Sequence, residues 1–243
     1  LRGQRNSLPE QVKIGSVTIG AVPRIVASIG EGNIMHLAKK AKTLGADIIE
    51  LRLDRMKNIN EFEDIFSCVR KVTKLPIIST IRWHKELGKT QGSFLQERKR
   101  RDLFSRVIPL TDAVDIEINS RIFSSVAREA RRMKKTVIAS YHNFKIIPPD
   151  GQLRSLVRKG FSNGGHIVKI AAYARTLREA GRFLCFCIPY RPGRVAAVAM
   201  GEAGKLARYA APLCGSALLY GYIDRPYGPG QLKVSEIKES LQP

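Results

Sequence analysis

The sequence predicts a (β/α)8 barrel, one domain over residues 1–243 with an N-terminal β-hairpin (residues 1–23) capping one end. Three observations predict it. The chain has 243 residues, the size of one α/β barrel, and 44% of them are hydrophobic, enough for a buried core. From Arg24 onward, short β-branched runs alternate with segments of helical period, the mark of parallel strands joined by helical crossovers. Several strand patterns carry ionisable side chains at alternate positions, late in the strand.

The hairpin is read from Val12-Lys13-Ile14 and Val17-Thr18-Ile19 around Gly15-Ser16. Strands are expected at residues 24–29, 47–53, 76–82, 113–118, 136–142, 166–171, 194–199 and 216–221. Between them, helices are expected at 33–44, 59–71, 94–108, 124–134, 150–159, 176–184 and 201–211, with a last one at 234–241. A doubly wound open sheet would carry a glycine-rich turn after the first strand. Here Ile29-Gly30-Glu31-Gly32-Asn33 places an acidic residue where a pyrophosphate would sit.

Strand neighbours alternate faces. Glu50, Arg52 and Asp54 therefore oppose Ile49, Leu51 and Leu53, and Asp115 and Glu117 oppose Val114, Ile116 and Ile118. Ile78, Thr80 and Arg82 share a face, as do Ile138, Ser140 and His142, and Ile167, Lys169 and Ala171. Helical crossovers cover the outside of such a sheet, so the polar faces look into the barrel. Buried charges are costly unless they pair or serve a ligand. Five strands aiming ionisable groups at one place predict a site at the carboxyl ends of the strands.

Composition narrows the classes. Lys plus Arg is 42 against 21 Asp plus Glu, a formal charge of +21 that raises a nucleic-acid reading. Its support is the run Arg98, Lys99, Arg100, Arg101 and the cluster Arg128, Arg131, Arg132, Lys134, Lys135. Both fall on expected helices, where basic residues ordinarily form the solvated outer face. Aromatics, at 7%, are too few to build stacking platforms. The expected partner is a small anionic substrate, with no specific nucleic acid and no membrane. Cys68, Cys185, Cys187 and Cys214 lie in apolar runs and suit free thiols of a reducing compartment. Residues 1–11 lack the apolar core of a secretory signal, and no stretch reaches membrane-spanning length, so a cytoplasmic location is expected.

No P-loop is present, and His36, His84, His142 and His166 are not at metal-ligand spacing. Lys169, in the apolar strand His166-Ile167-Val168-Lys169-Ile170-Ala171, is a candidate imine-forming amine, with Arg52 and Arg82 as neighbouring cations. His142, one strand away, is the candidate base and acid. An aldolase-type imine enzyme shares this lysine and would bind a sugar phosphate, for which the turn at 201–204 offers backbone amides.

These residues resemble the type I 3-dehydroquinate dehydratase family. The landmarks run from Arg24 to Gln231: Glu50-Leu51-Arg52-Leu53-Asp54, Ser79-Thr80-Ile81-Arg82, Asp115-Ile116-Glu117 and Ser140-Tyr141-His142-Asn143-Phe144. They continue with Val168-Lys169-Ile170-Ala171, Met200-Gly201-Glu202-Ala203-Gly204 with Arg208, and Pro229-Gly230-Gln231. The resemblance implies dehydration of 3-dehydroquinate to 3-dehydroshikimate by syn elimination, without metal or organic cofactor, in a homodimer. It implies an imine on Lys169, proton transfer by His142 and orientation of that histidine by Glu86. It further implies Glu50, Arg52 and Arg82 around the ring, Arg208 and Gln231 on the carboxylate, and a lid from Pro226 to Gln231. The chain departs from the family at Tyr227, where serine is common, and at Asn143, where aspartate is common.

Overall fold

The computed structural model describes residues 11–56, 62–87, 95–190 and 193–242. Strands β1 (Lys13–Ile14) and β2 (Val17–Thr18) form the antiparallel hairpin. Nine parallel strands follow: β3 (Arg24–Ile29), β4 (Ile48–Arg52), β5 (Ile77–Thr80), β6 (Ala113–Glu117), β7 (Thr136–Asn143), β8 (Ile167–Tyr173), β9 (Val195–Met200), β10 (Leu218–Tyr222) and β11 (Leu232–Lys233). Their spatial order is β11-β10-β3-β4-β5-β6-β7-β8-β9, and the sheet curls until β9 lies beside β10. The helices are α1 (Ile34–Thr43), α2 (Phe62–Thr73), α3 (Glu97–Val107), α4 (Phe123–Arg132), α5 (Asp150–Ser162), α6 (Leu177–Cys185), α7 (Glu202–Ala210) and α8 (Val234–Ser240).

Strand limits fall within two residues of those expected. The expected starts of α2 at 59 and of α3 at 94 lie outside the described residues, as do residues 1–10 of the hairpin extension. Two differences have physical reasons. Helix α5 runs past Gly160, because that glycine packs the helix onto β8 rather than ending it. A Cβ there would stand 2.7 Å from Val168 Cγ2. Strand β11 has two residues, too few for alternation to reveal.

Two apolar shells hold the barrel. The outer one lies between strands and helices; α4, for example, buries Phe123, Val126, Ala127 and Ala130 at helical spacing. The inner one fills the amino-terminal half with Val26, Ile48, Ile78, Ile138 and Ile167. The hairpin adds Ile14 and Ile19 to this inner shell, and Lys13 O accepts a hydrogen bond from Thr136 Oγ1 at the start of β7. The amino-terminal end is thus plugged with hydrocarbon, and polar side chains occupy the carboxyl end.

The basic run on α3 divides. Arg98 and Lys99 are exposed as expected, whereas Arg100 is fully buried, so the expectation of a wholly solvated face is corrected there. Arg128, Arg131, Arg132 and Lys134 are exposed around the end of α4. Among the described residues no helix is long and apolar enough to cross a membrane.

Candidate active site

Two residues further along the same faces, hydrocarbon gives way to charge. Glu50 on β4 takes hydrogen bonds from Ser28 Oγ at 2.6 Å and Thr80 Oγ1 at 2.7 Å. Across the barrel, Lys169 Nζ donates to Asp115 Oδ2 at 2.9 Å and stands 3.9 Å from Glu50 Oε1. The Tyr220 ring lies against that ammonium, with its centroid 3.9 Å from Nζ. Asp115 Oδ1 also accepts from Ser140 Oγ at 2.6 Å and from Arg82 Nη1 at 2.8 Å. Burial would raise the Asp115 carboxyl, but Arg82 and Lys169 beside it hold it well below the usual carboxylate range. The carboxylates Asp115 and Glu117 lift Arg82 well above its ordinary value against the opposing effect of burial.

His142 follows two residues after Ser140, and Ser140 is the register partner of Lys169. Lysine and imidazole therefore face one hollow from adjacent strands. Glu86 Oε2 accepts from the His142 backbone N–H at 2.8 Å and lies 2.9 Å from His142 Nδ1. With Nδ1 as the donor in that contact, Nε2 keeps its lone pair. Burial, followed by Arg82 and Lys169, holds His142 well below its usual value, so the imidazole is neutral. Burial and the nearby Glu117 push Glu86 up to about 8.

The mouth is closed on one side by the loop after β10. Tyr227 Oη accepts from Gly30 N–H at 2.8 Å, and its ring lies beneath both Arg52 and Arg55, each 5.6 Å from the centroid. Its backbone N–H donates to Gln231 Oε1 at 2.7 Å, and Arg225 pairs with Glu31 at 2.8 Å. Arg52 is anchored by both oxygens of Asp54, at 3.0 and 2.8 Å. Arg208 Nε donates to Ala199 O at 2.8 Å and Nη2 to Pro229 O at 3.3 Å. Among the described residues no carboxylate pairs with it, and burial lowers it to about 10.

All nine sequence-predicted site residues line one solvent-open pocket of about 580 Å³: Lys169, His142 and Glu86, then Glu50, Arg52 and Arg82, with Arg208, Tyr227 and Gln231. Asp115 and Tyr220 were not among them. Parity had turned Asp115 inward, but nothing local showed that it meets Lys169. Lys169 thus faces a carboxylate as well as the cations expected around it. The Gly201 N–H, an amide considered for a sugar phosphate, is taken by Pro229 O at 3.2 Å. Among the described residues no group of His, Cys, Asp and Glu is placed to hold a metal ion.

The sequence model of the family described as Type I 3-dehydroquinase matches residues 26–242. The chain belongs to that family. It is 32% identical over 222 residues to the 3-dehydroquinate dehydratase of Aquifex aeolicus, spanning 88% of this chain and 95% of that protein. The Methanococcoides burtonii 3-dehydroquinate dehydratase is 31% identical over 235 residues, 95% of this chain and 98% of the relative. In fold, the chain is similar to the crystal structure of the 3-dehydroquinate dehydratase from Geobacillus kaustophilus. Their TM-score is 0.86 at 23% identity, covering 96% of this chain and 95% of the other. As a type I dehydroquinase, the protein is a hydro-lyase of the shikimate pathway that converts 3-dehydroquinate to 3-dehydroshikimate.

Proposed function

We propose that the pocket performs this dehydration through an imine on Lys169. Attack requires Lys169 in its amine form, released from Asp115. Nζ adds to the C3 ketone of 3-dehydroquinate, and the carbinolamine loses water to give a protonated imine. This cation acidifies the C2 proton, which His142 Nε2 removes to leave an enamine. The enamine expels the C1 hydroxyl, which takes the proton back from His142 and departs as water, in a syn elimination. Hydrolysis of the conjugated imine returns Lys169 and frees 3-dehydroshikimate, so one water is lost overall.

The other side chains follow from their chemistry. Glu86 orients the imidazole, while Glu50, Arg52 and Arg82 surround the ring hydroxyls. Arg208, a buried guanidinium without a carboxylate partner among the described residues, receives the substrate carboxylate with Gln231 beside it. Tyr227 borders the substrate from the lid. The observation that carries the proposal is the juxtaposition of Lys169 with a neutral, Nδ1-anchored His142 in one hollow. A cytoplasmic homodimer belongs to the same proposal. Its support is the set of free cysteines and the exposed apolar side chains Leu177, Ile188, Leu206 and Leu213 on and around α6 and α7.

The test is borohydride reduction during turnover of 3-dehydroquinate, followed by peptide mass mapping. A reduced adduct on Lys169 is expected, and Lys169→Ala should be inactive yet folded. An active preparation that shows no modified Lys169 would overturn the mechanism.

A further inference from the structure

Arg100 sits on α3, a helix of the outer layer, yet its side chain is fully buried. Apolar residues fill most of that seam; Leu103, Phe104 and Val107 do so on the same helix. Placing a guanidinium there is costly unless every donor is used, and this one is densely bonded. Nε and Nη2 donate to Ile81 O at 3.0 and 2.8 Å, and Nη2 also reaches Glu117 Oε2 at 2.5 Å. Nη1 donates to Glu97 Oε2 at 2.7 Å and to Ser120 Oγ at 3.3 Å.

These partners surround Arg82. Ile81 precedes it, and the other oxygen of Glu117 accepts from the Trp83 N–H and from Arg82 Nη1, both at 2.9 Å. Arg100 and Glu117 therefore clamp the backbone on both sides of Arg82 and one N–H edge of its guanidinium. Beyond Arg82 the alternation of charge continues through Asp115 to Lys169. Beyond Trp83 a single turn, His84–Glu86, delivers Glu86 to His142.

We propose that Arg100 is a positioning residue for the dehydration: it holds Glu117, and with it Arg82 and the start of the turn that carries Glu86. The inference rests on the roles given above to Lys169 and His142. Without the Arg100 Nη2 bond to Glu117, Arg82 is drawn toward that carboxylate and shared less with Asp115, and Glu86 loses its fixed approach. Removing the charge altogether makes the site one unit more negative, which favours protonated His142.

The experiment compares Arg100→Lys, Arg100→Met and Glu97→Gln with the parent in kcat, KM, the pH profile of kcat/KM and thermal melting. Arg100→Lys keeps the charge without the fork, and kcat falls about tenfold or more, with KM changed less than about threefold, because misplaced catalytic groups act on the chemical step. In Arg100→Met the acid limb of kcat/KM moves to higher pH. A purely structural arginine would lower the melting temperature and leave kcat and the pH profile of the folded protein as in the parent. That result in Arg100→Lys overturns the proposal. Should Arg100→Lys not fold, Glu97→Gln decides, since it loosens Arg100 from a partly exposed partner: a lower kcat supports the proposal and an unchanged one overturns it. Lys169→Ala is assayed alongside. If it retains activity, the imine mechanism falls; if it is dead while the Arg100 and Glu97 variants match the parent, only the present inference falls.

Discussion

Replacing Arg208 with methionine separates stability from affinity. The lowering of this buried guanidinium from 12.5 to about 10 corresponds to about 3 kcal/mol, at 1.36 kcal/mol per pH unit. Its folded value is depressed, so the unfolded chain binds the proton more tightly and the cost is present in full below about pH 10. Arg208→Met removes that cost but leaves Ala199 O and Pro229 O without their donors, a loss of roughly 1 kcal/mol each. The protein is then about 1 kcal/mol more stable, a rise of roughly 2–4 °C in Tm for a chain of this size. A substrate carboxylate returns the 3 kcal/mol when it pairs with Arg208. The variant therefore loses about a hundredfold in affinity, read as KM. The assays are thermal melting of the free protein and steady-state kinetics followed by ultraviolet absorbance of the conjugated product. A KM within about threefold of the parent, less than 1 kcal/mol, would refute the carboxylate role. A melting temperature that falls by about 5 °C or more would show the guanidinium to be structural on balance.

The His142 and Glu86 shifts predict an unusual pH dependence. His142 is depressed below 6.5, so its contribution is complete above pH 6.5 and drains as pH falls; Glu86, raised from 4.5 to about 8, contributes fully below pH 4.5 and loses that contribution as pH rises through about 8. The two slopes oppose between pH 4.5 and 6.5, and from 6.5 to 8 Glu86 alone lowers stability, by about 2 kcal/mol. Melting temperatures across that upper window should decline in the parent and stay level in Glu86→Gln; a level parent sinks the assignment. Gly230→Ala should undock the lid, because Gly230 has φ +69° and a Cβ there would meet Gly201 O at 2.4 Å. Faster proteolysis in the loop and a kcat/KM reduced about tenfold are the expected readouts, and a parent-like variant would show that the docked loop is dispensable.

What could be read along the chain was whatever repeats along the chain. Alternation turned Glu50, Arg52, Asp115, Ser140, His142 and Lys169 inward, because a strand's side-chain period is a property of its backbone. Helical period located the helices, and α5 runs past its expected end at 159 because Gly160 is used for contact with Val168. Pairing was not legible. Arg82 meets Asp115, Glu117 and Ser140 at separations of 33, 35 and 58 residues, and closure of the barrel selects which of the inward charges touch. Arg100 was placed on the surface by its basic neighbours, whereas the structure finds a carboxylate and a carbonyl for it beneath the helix. Tyr227 stood out as a departure in the lid, but only packing showed its hydroxyl committed to Gly30 and its ring beneath two arginines. Element order and facing follow from local stereochemistry. Which charge neutralises which, and which guanidinium is left for a substrate, depends on distances that exist only once the sheet has closed.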